Sequence, residues 1–264
     1  MYLKSNNIIY HYTSLDALFN GILVAAPEKL GEICLWATHS DYLNDKYEIK
    51  SCSKMIEDKI KKFRNGQFYD MYIETKEVNG VDEIHILSFS KTKDYLPMWS
   101  MYGKQGDGIM LGLDFKSDEY MIKCNYMDEI DLSNFIDAKL NKLLKNDISY
   151  LEQTEILIGM YYQIFAIKSR HFEYEQEIRR VVNPNIVIEQ VASELNPYSQ
   201  VDFRVNNNML VPYFKYYFPK EYLVELWIGP TQNQTLSTNS LRKYLNKHGF
   251  DHTKIINSSC PLKA

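Results

Sequence analysis

Apolar residues gather in short continuous runs in some stretches of the chain and recur at every third or fourth position in others, and the change of pattern divides it into elements. Short apolar and aromatic runs predict strands at 8–12, 34–38, 84–90, 108–115, 211–218, 223–230 and 254–258. After the first of these, Thr13 or Ser14 caps a helix carrying Leu15, Leu18, Phe19 and Ile22 on one side and stopping near Gly21. A second helix starts at Asn44 or Asp45, with Glu48 completing a capping box, and runs past Ile56 and Ile60 to Phe63. Residues 65–82 fit a helix or a loop equally well. Residues 96–103 form a short aromatic turn, and helical spacing takes over across about 133–169. A polar insertion with strand fragments occupies 183–210, and a last helix lies at 236–248. The simplest account is one α+β domain over 1–264 with an embedded helical section.

The stretch 171–182 stands out. It packs three carboxylates and two guanidinium groups between Glu173 and Arg180, then enters β-branched residues. Read as a strand, it sets Glu173, Glu175, Glu177 and Arg179 on one face and Tyr174, Ile178 and Arg180 on the other. Such a row of acids is either a solvated edge or one wall of a polar site.

Composition narrows the function. A net charge of −4 argues against holding nucleic acid by bulk charge. Cys34, Cys52, Cys124 and Cys260 lack the paired spacing of a zinc or redox motif, so no metal ligands are assigned and free cytosolic thiols are expected. The first residues lack an apolar signal core, and no apolar run is long enough to span a membrane, so a cytoplasmic protein without membrane contact is expected.

Several residues carry possible chemistry. His11, at the end of the first strand, lies beside a helix amino terminus that favours anions. Trp99 and Tyr102, three apart, offer a stacking surface or simply fill a core. Lys168 and Arg170 fall at the end of a helix, where positive charge suits the dipole. The glycines of 108–115 permit close approach of a ligand or another strand.

Taken together, His11-Tyr12-Thr13-Ser14, Asn44-Asp45-x-x-Glu48, Phe89-Ser90, Met98-Trp99-Ser100-x-Tyr102, Lys168, Tyr174-Glu175-x-Glu177-x-Arg179, Ile228-Gly229-Pro230 and Asn257-Ser258-Ser259 resemble the bacterial family called domain of unknown function 2971. The likeness runs over nearly the whole chain, with Phe172 where a tryptophan is usual. The layout also resembles, at the level of fold, the ADP-ribosyltransferases. That implies a central mixed or antiparallel sheet of split form and NAD as substrate.

On that resemblance Glu177 stabilises the positive charge that builds on ribose as the nicotinamide bond breaks. Glu175 orients the nucleophile, and His11 holds the ribose or the amide. Tyr12 and Thr13 flank the ligand, Trp99 or Tyr102 stacks on the ring, and Arg179 pairs with pyrophosphate or neutralises an acid.

The first expectation is therefore an ADP-ribosyltransferase or NAD glycohydrolase, serving as a bacterial toxin or phage-defence effector. Its acceptor would be a protein or nucleic acid, with a cognate defence or antitoxin protein as partner. A second is a metal-dependent nucleic-acid enzyme built on Asp45, Glu48, Glu175 and Glu177 around Lys168. A third is a non-catalytic sensor or binding module with the same cluster buried and paired.

Overall fold

The structure is a computed structural model and describes residues 8–23, 32–43, 49–78, 84–115, 121–145, 148–183, 201–206 and 208–262. β1 (Ile9–Thr13) leads into α1 (Leu15–Ala17), whose cap is Ser14: its hydroxyl accepts from the Ala17 amide at 3.0 Å. The helix widens into one π turn, Leu18–Ile22. At Gly21 there is no room for a side chain, because a Cβ would fall 2.0 Å from the ring of Trp36 on β2 (Glu32–His39).

Next come α2 (Ile49–Lys62), α3 (Tyr69–Val78), β3 (His85–Ser90) and α4 (Leu96–Tyr102). The undecided 65–82 stretch is thus mostly helical, and the aromatic turn is a two-turn helix. Pro97 starts α4 where its missing N–H costs no hydrogen bond.

β4 (Ile109–Leu113), β5 (Met121–Lys123) and β6 (Asn125–Met127) follow. The helical section resolves into α5 (Glu129–Lys142) and α6 (Tyr150–Gln163). It starts earlier than the apolar spacing suggested because Asp128 and Asp131 form a capping box; Ser149 and Glu152 form another. The chain then makes β7 (Ile167–Ser169), a 3-10 segment (Arg170–Glu175), β8 (Glu177–Val182), β9 (Val201–Asn206), β10 (Met209–Pro219) and β11 (Leu223–Ile228). α7 (Gln234–Lys247) and β12 (Lys254–Asn257) complete it.

The fold is mixed α and β around one large mixed sheet, in the order β12-β11-β4-β1-β3-β2-β10-β9, with β8 and β5 branching from β3. Among the described residues only β11 and β12 are parallel in it; β6 and β7 form a small parallel pair apart. The branch makes a fork. β8 runs along the full length of β3 on one edge. On the other edge β1 pairs at Ser90 and β2 at His85 and Ile86, and among the described residues no strand lies beside the middle of β3 there. His11 reaches into this gap, and its Nδ1 donates to the Ser88 carbonyl at 3.0 Å. It therefore sits in mid-strand rather than at the strand end.

Ile9, Leu35, Leu111, Ile178 and Leu226 build the main core on one face of the sheet. A second cluster joins α2, α3, α5 and α6 through Ile56, Ile60, Ile136 and Leu157. A third holds Tyr10, Tyr12, Met98, Trp99, Met110 and Trp227 under α4. Asp94 clamps that cluster to the chain end, accepting from Trp99 Nε1 at 2.8 Å and from the amide and hydroxyl of Ser259, each at 2.9 Å. Asp94→Ala should lower stability by about 2 kcal/mol, the order expected for hydrogen bonds to a charged group, as read in urea unfolding.

Candidate functional site

The acid-rich stretch does not form one continuous strand. Glu173 to Glu175 lie in the 3-10 segment, and the chain reverses at Gln176 in the left-handed region (φ 43°, ψ 50°) before β8 begins at Glu177. Local hydrogen bonding and this one turned residue override the alternation. Glu173 is exposed, whereas Glu175 and Glu177 are each 3% exposed. The solvated-edge reading fails for β8, which has β3 on one side and β5 on the other. The turn is stitched to the end of β3: Lys91 N donates to the Gln176 carbonyl at 3.1 Å, and the Ser90 hydroxyl donates to the Glu175 carbonyl.

Lys168 is the centre of what results. It is not at a helix end; α6 gives way to a 3-10 turn at 164–166, and Lys168 lies buried on β7, paired with Tyr126. Its ammonium donates to Glu175 Oε2 at 2.6 Å and to Glu177 Oε2 at 2.7 Å, and it sits 4.9 Å from the centre of the Phe172 ring. The tyrosine hydroxyl of Tyr102 donates to Glu175 Oε1 at 2.6 Å. Arg179 grips Glu177 with Nε at 2.9 Å and Nη2 at 3.0 Å, and its Nη1 donates to the Phe165 carbonyl at 3.1 Å. The Glu177 amide donates to Tyr126 Oη at 2.6 Å.

Burial alone would raise the Glu177 pKa, but Arg179 and Lys168 together hold it down to about 2. The carboxylate is therefore ionised at any physiological pH. Burial, and then the neighbouring Glu175, pushes the Tyr102 phenol upward, so it stays a proton donor. Desolvation lowers the His11 pKa, with the Ser88 bond opposing it and the charge of Arg204 adding to it. The imidazole is thus neutral, and since a carbonyl only accepts, Nδ1 carries the proton and Nε2 is left as an acceptor.

These groups border one cavity of about 140 Å³, lined by His11, Tyr12, Tyr102, Lys168, Glu175, Glu177 and Arg179 among others. Tyr10, Phe89, Met98 and Phe172 supply much of its apolar wall. An apolar cavity of roughly 150 Å³ accepts a benzene ring, so the space suits a single planar ring.

Not every candidate is here. Trp99 is fully buried, edge-on to Tyr12 at 5.0 Å, so its ring packs the core and offers no stacking face. Thr13 lines a neighbouring cavity instead. Tyr12 lines this one, but its hydroxyl is engaged with the 92–95 turn, donating to Thr92 O at 3.0 Å and accepting from Tyr95 N at 3.2 Å. Arg179 is paired with Glu177, the acid-neutralising role of the two expected for it. Asn44, Asp45 and Glu48 lie outside the described residues. Among the described residues no group of three or more His, Cys, Asp or Glu is placed to hold a metal, and the space between Glu175 and Glu177 contains the Lys168 ammonium.

Sequence reasoning assigned no role to Tyr126, Ser88 or Ser90. The last belongs to the Phe89-Ser90 motif, the one signal that pointed to it.

Among the described residues no helix is long and apolar enough to cross a membrane. No curated protein and no solved structure matches the chain. The family likeness is supported over residues 98–180, the segment that runs from α4 to β8 and carries Tyr102, Lys168, Glu175, Glu177 and Arg179, and which matches the model of a family described as Protein of unknown function (DUF2971).

Proposed function

We propose that the protein is an NAD-consuming enzyme, an ADP-ribosyltransferase or NAD glycohydrolase, that seats the nicotinamide ring in the 140 Å³ cavity. The observation that carries this reading is that His11 of β1 and Glu177 of β8, on opposite sides of β3, border the same ring-sized space at the sheet's fork. The C1′–N bond breaks and its electron pair leaves with nicotinamide. An oxygen of water or of an acceptor bonds to C1′, and its proton passes to solvent.

Positive charge grows on the ribose during this step, and the ionised Glu177 carboxylate at the cavity wall is the group that would favour it. Neutral His11 accepts from a ribose hydroxyl through Nε2. Contact between Glu177 and the ribose requires Lys168 to swing off Oε2, towards the Phe172 ring it already faces. Loss of NAD in a bacterial cell is the chemical basis for a toxin or phage-defence role.

Purified protein incubated with NAD should release nicotinamide, and Glu177→Gln should lower the rate by about 10²–10³ while remaining folded. Equal release from both proteins removes the reading. A second reading, a non-catalytic binding module, is favoured by one observation: both Glu177 oxygens are already engaged. It predicts NAD binding without release.

A further inference from the structure

With Arg179 bound to Glu177, a different guanidinium is available to an anion. Arg204 on β9 lies against two rings, 5.7 Å from the centre of Trp36 and 5.9 Å from Tyr213. Its Nη2 donates to Thr38 Oγ1 at 2.9 Å, its Nε is shielded from solvent with no hydrogen-bond partner, and no carboxylate pairs with it among the described residues. A half-buried cation of this kind is costly without a counter-charge. The two rings pack on each other, with centres 4.7 Å apart and planes tilted by 30°, so Arg204 lies beside the aromatic pair, and the bare Gly21 leaves space for the indole.

Arg204 borders a cavity of about 220 Å³ between β1 and β2, in the gap of the fork, with Thr13, Thr38, Ser88 and Asn206 as further polar groups. His11, Leu43, Ser88 and Tyr102 border both this cavity and the first one. A ligand with a ring in one and an anion in the other would cross that shared wall.

We propose that the second cavity binds the diphosphate group of a nucleotide, with Arg204 as its charged anchor. The planar fork of a guanidinium matches two phosphate oxygens, and an anion supplies the counter-charge that Arg204 lacks. The proposal extends the ligand inferred above and rests on that reading for the identity of the nucleotide.

Calorimetric titration of the full chain with ADP, inorganic pyrophosphate and adenosine tests it. ADP should bind the wild type, and Arg204→Gln should weaken it at least roughly tenfold without changing the weak response to adenosine. Should Arg204→Gln fail to fold, Arg204→Lys keeps the charge but loses the fork, and a severalfold loss is expected. Unchanged ADP affinity in either folded variant, or no binding by the wild type, overturns the site. Pyrophosphate binding as tight as ADP overturns the nucleotide assignment and identifies a free diphosphate as the ligand. Arg204-dependent ADP binding in a protein that releases no nicotinamide removes the cleavage reading alone. Nicotinamide release with ADP binding indifferent to Arg204 removes this site alone.

Discussion

Lys168→Met is expected to destabilise the protein by about 3–5 kcal/mol at neutral pH, the usual loss when one partner of a buried ion pair is removed. The ammonium touches both acids, at 2.6 and 2.7 Å. Methionine fills similar volume, so the loss reports charge rather than packing. Glu177 would keep Arg179, but among the described residues Glu175 would keep only the Tyr102 hydroxyl. Adding Glu175→Gln to Lys168→Met should therefore restore part of the stability, on the order of 1–2 kcal/mol, because it removes the acid left with the poorest support. Urea unfolding of the three proteins measures both effects. A loss under about 1 kcal/mol in the single variant would mean that the ammonium does not bind the two acids together.

Acid should weaken the fold within a defined range. Glu177 has its ordinary value of 4.5 in the unfolded chain and about 2 in the folded protein. A folded-state pKa below the unfolded one means that the unfolded chain takes up the proton first as pH falls. The contribution is fully present above pH 4.5 and disappears as pH drops through about 2. Its size is about 3 kcal/mol, from 1.36 kcal/mol for each pH unit between the two values. Glu177→Gln should be less stable than the wild type at pH 7 and should show a flatter decline over this range. Parallel acid limbs in the two proteins would place the titrating group elsewhere.

The expected strands are present because short apolar runs survive as buried strands: all five residues of β4, Ile109 to Leu113, are buried, with Ile109, Leu111 and Leu113 in the main core and Met110 in the cluster under α4. α4 was missed because its seven residues span too few turns for a period to show. The site was legible only in part. Glu175, Glu177, His11 and Tyr102 were identified as residues, and the structure brings them to one cavity. Lys168 was assigned to a helix end, since nothing in the apolar spacing marks where α6 yields to β7. Arg204 carries no local signal because it lies in a stretch that reads as a polar insertion.

The sequence by itself determined which segments are short apolar runs, which have helical spacing and which residues carry charge, because these follow from local pattern and side-chain chemistry. Only the tertiary structure decided that β1 and β2 part along one edge of β3, that a left-handed Gln176 turns two acids onto one lysine, and that Arg179 is occupied while Arg204 has no carboxylate among the described residues. Pairing between distant strands and the matching of buried charges depend on contacts between residues far apart in the chain, and no local pattern encodes them.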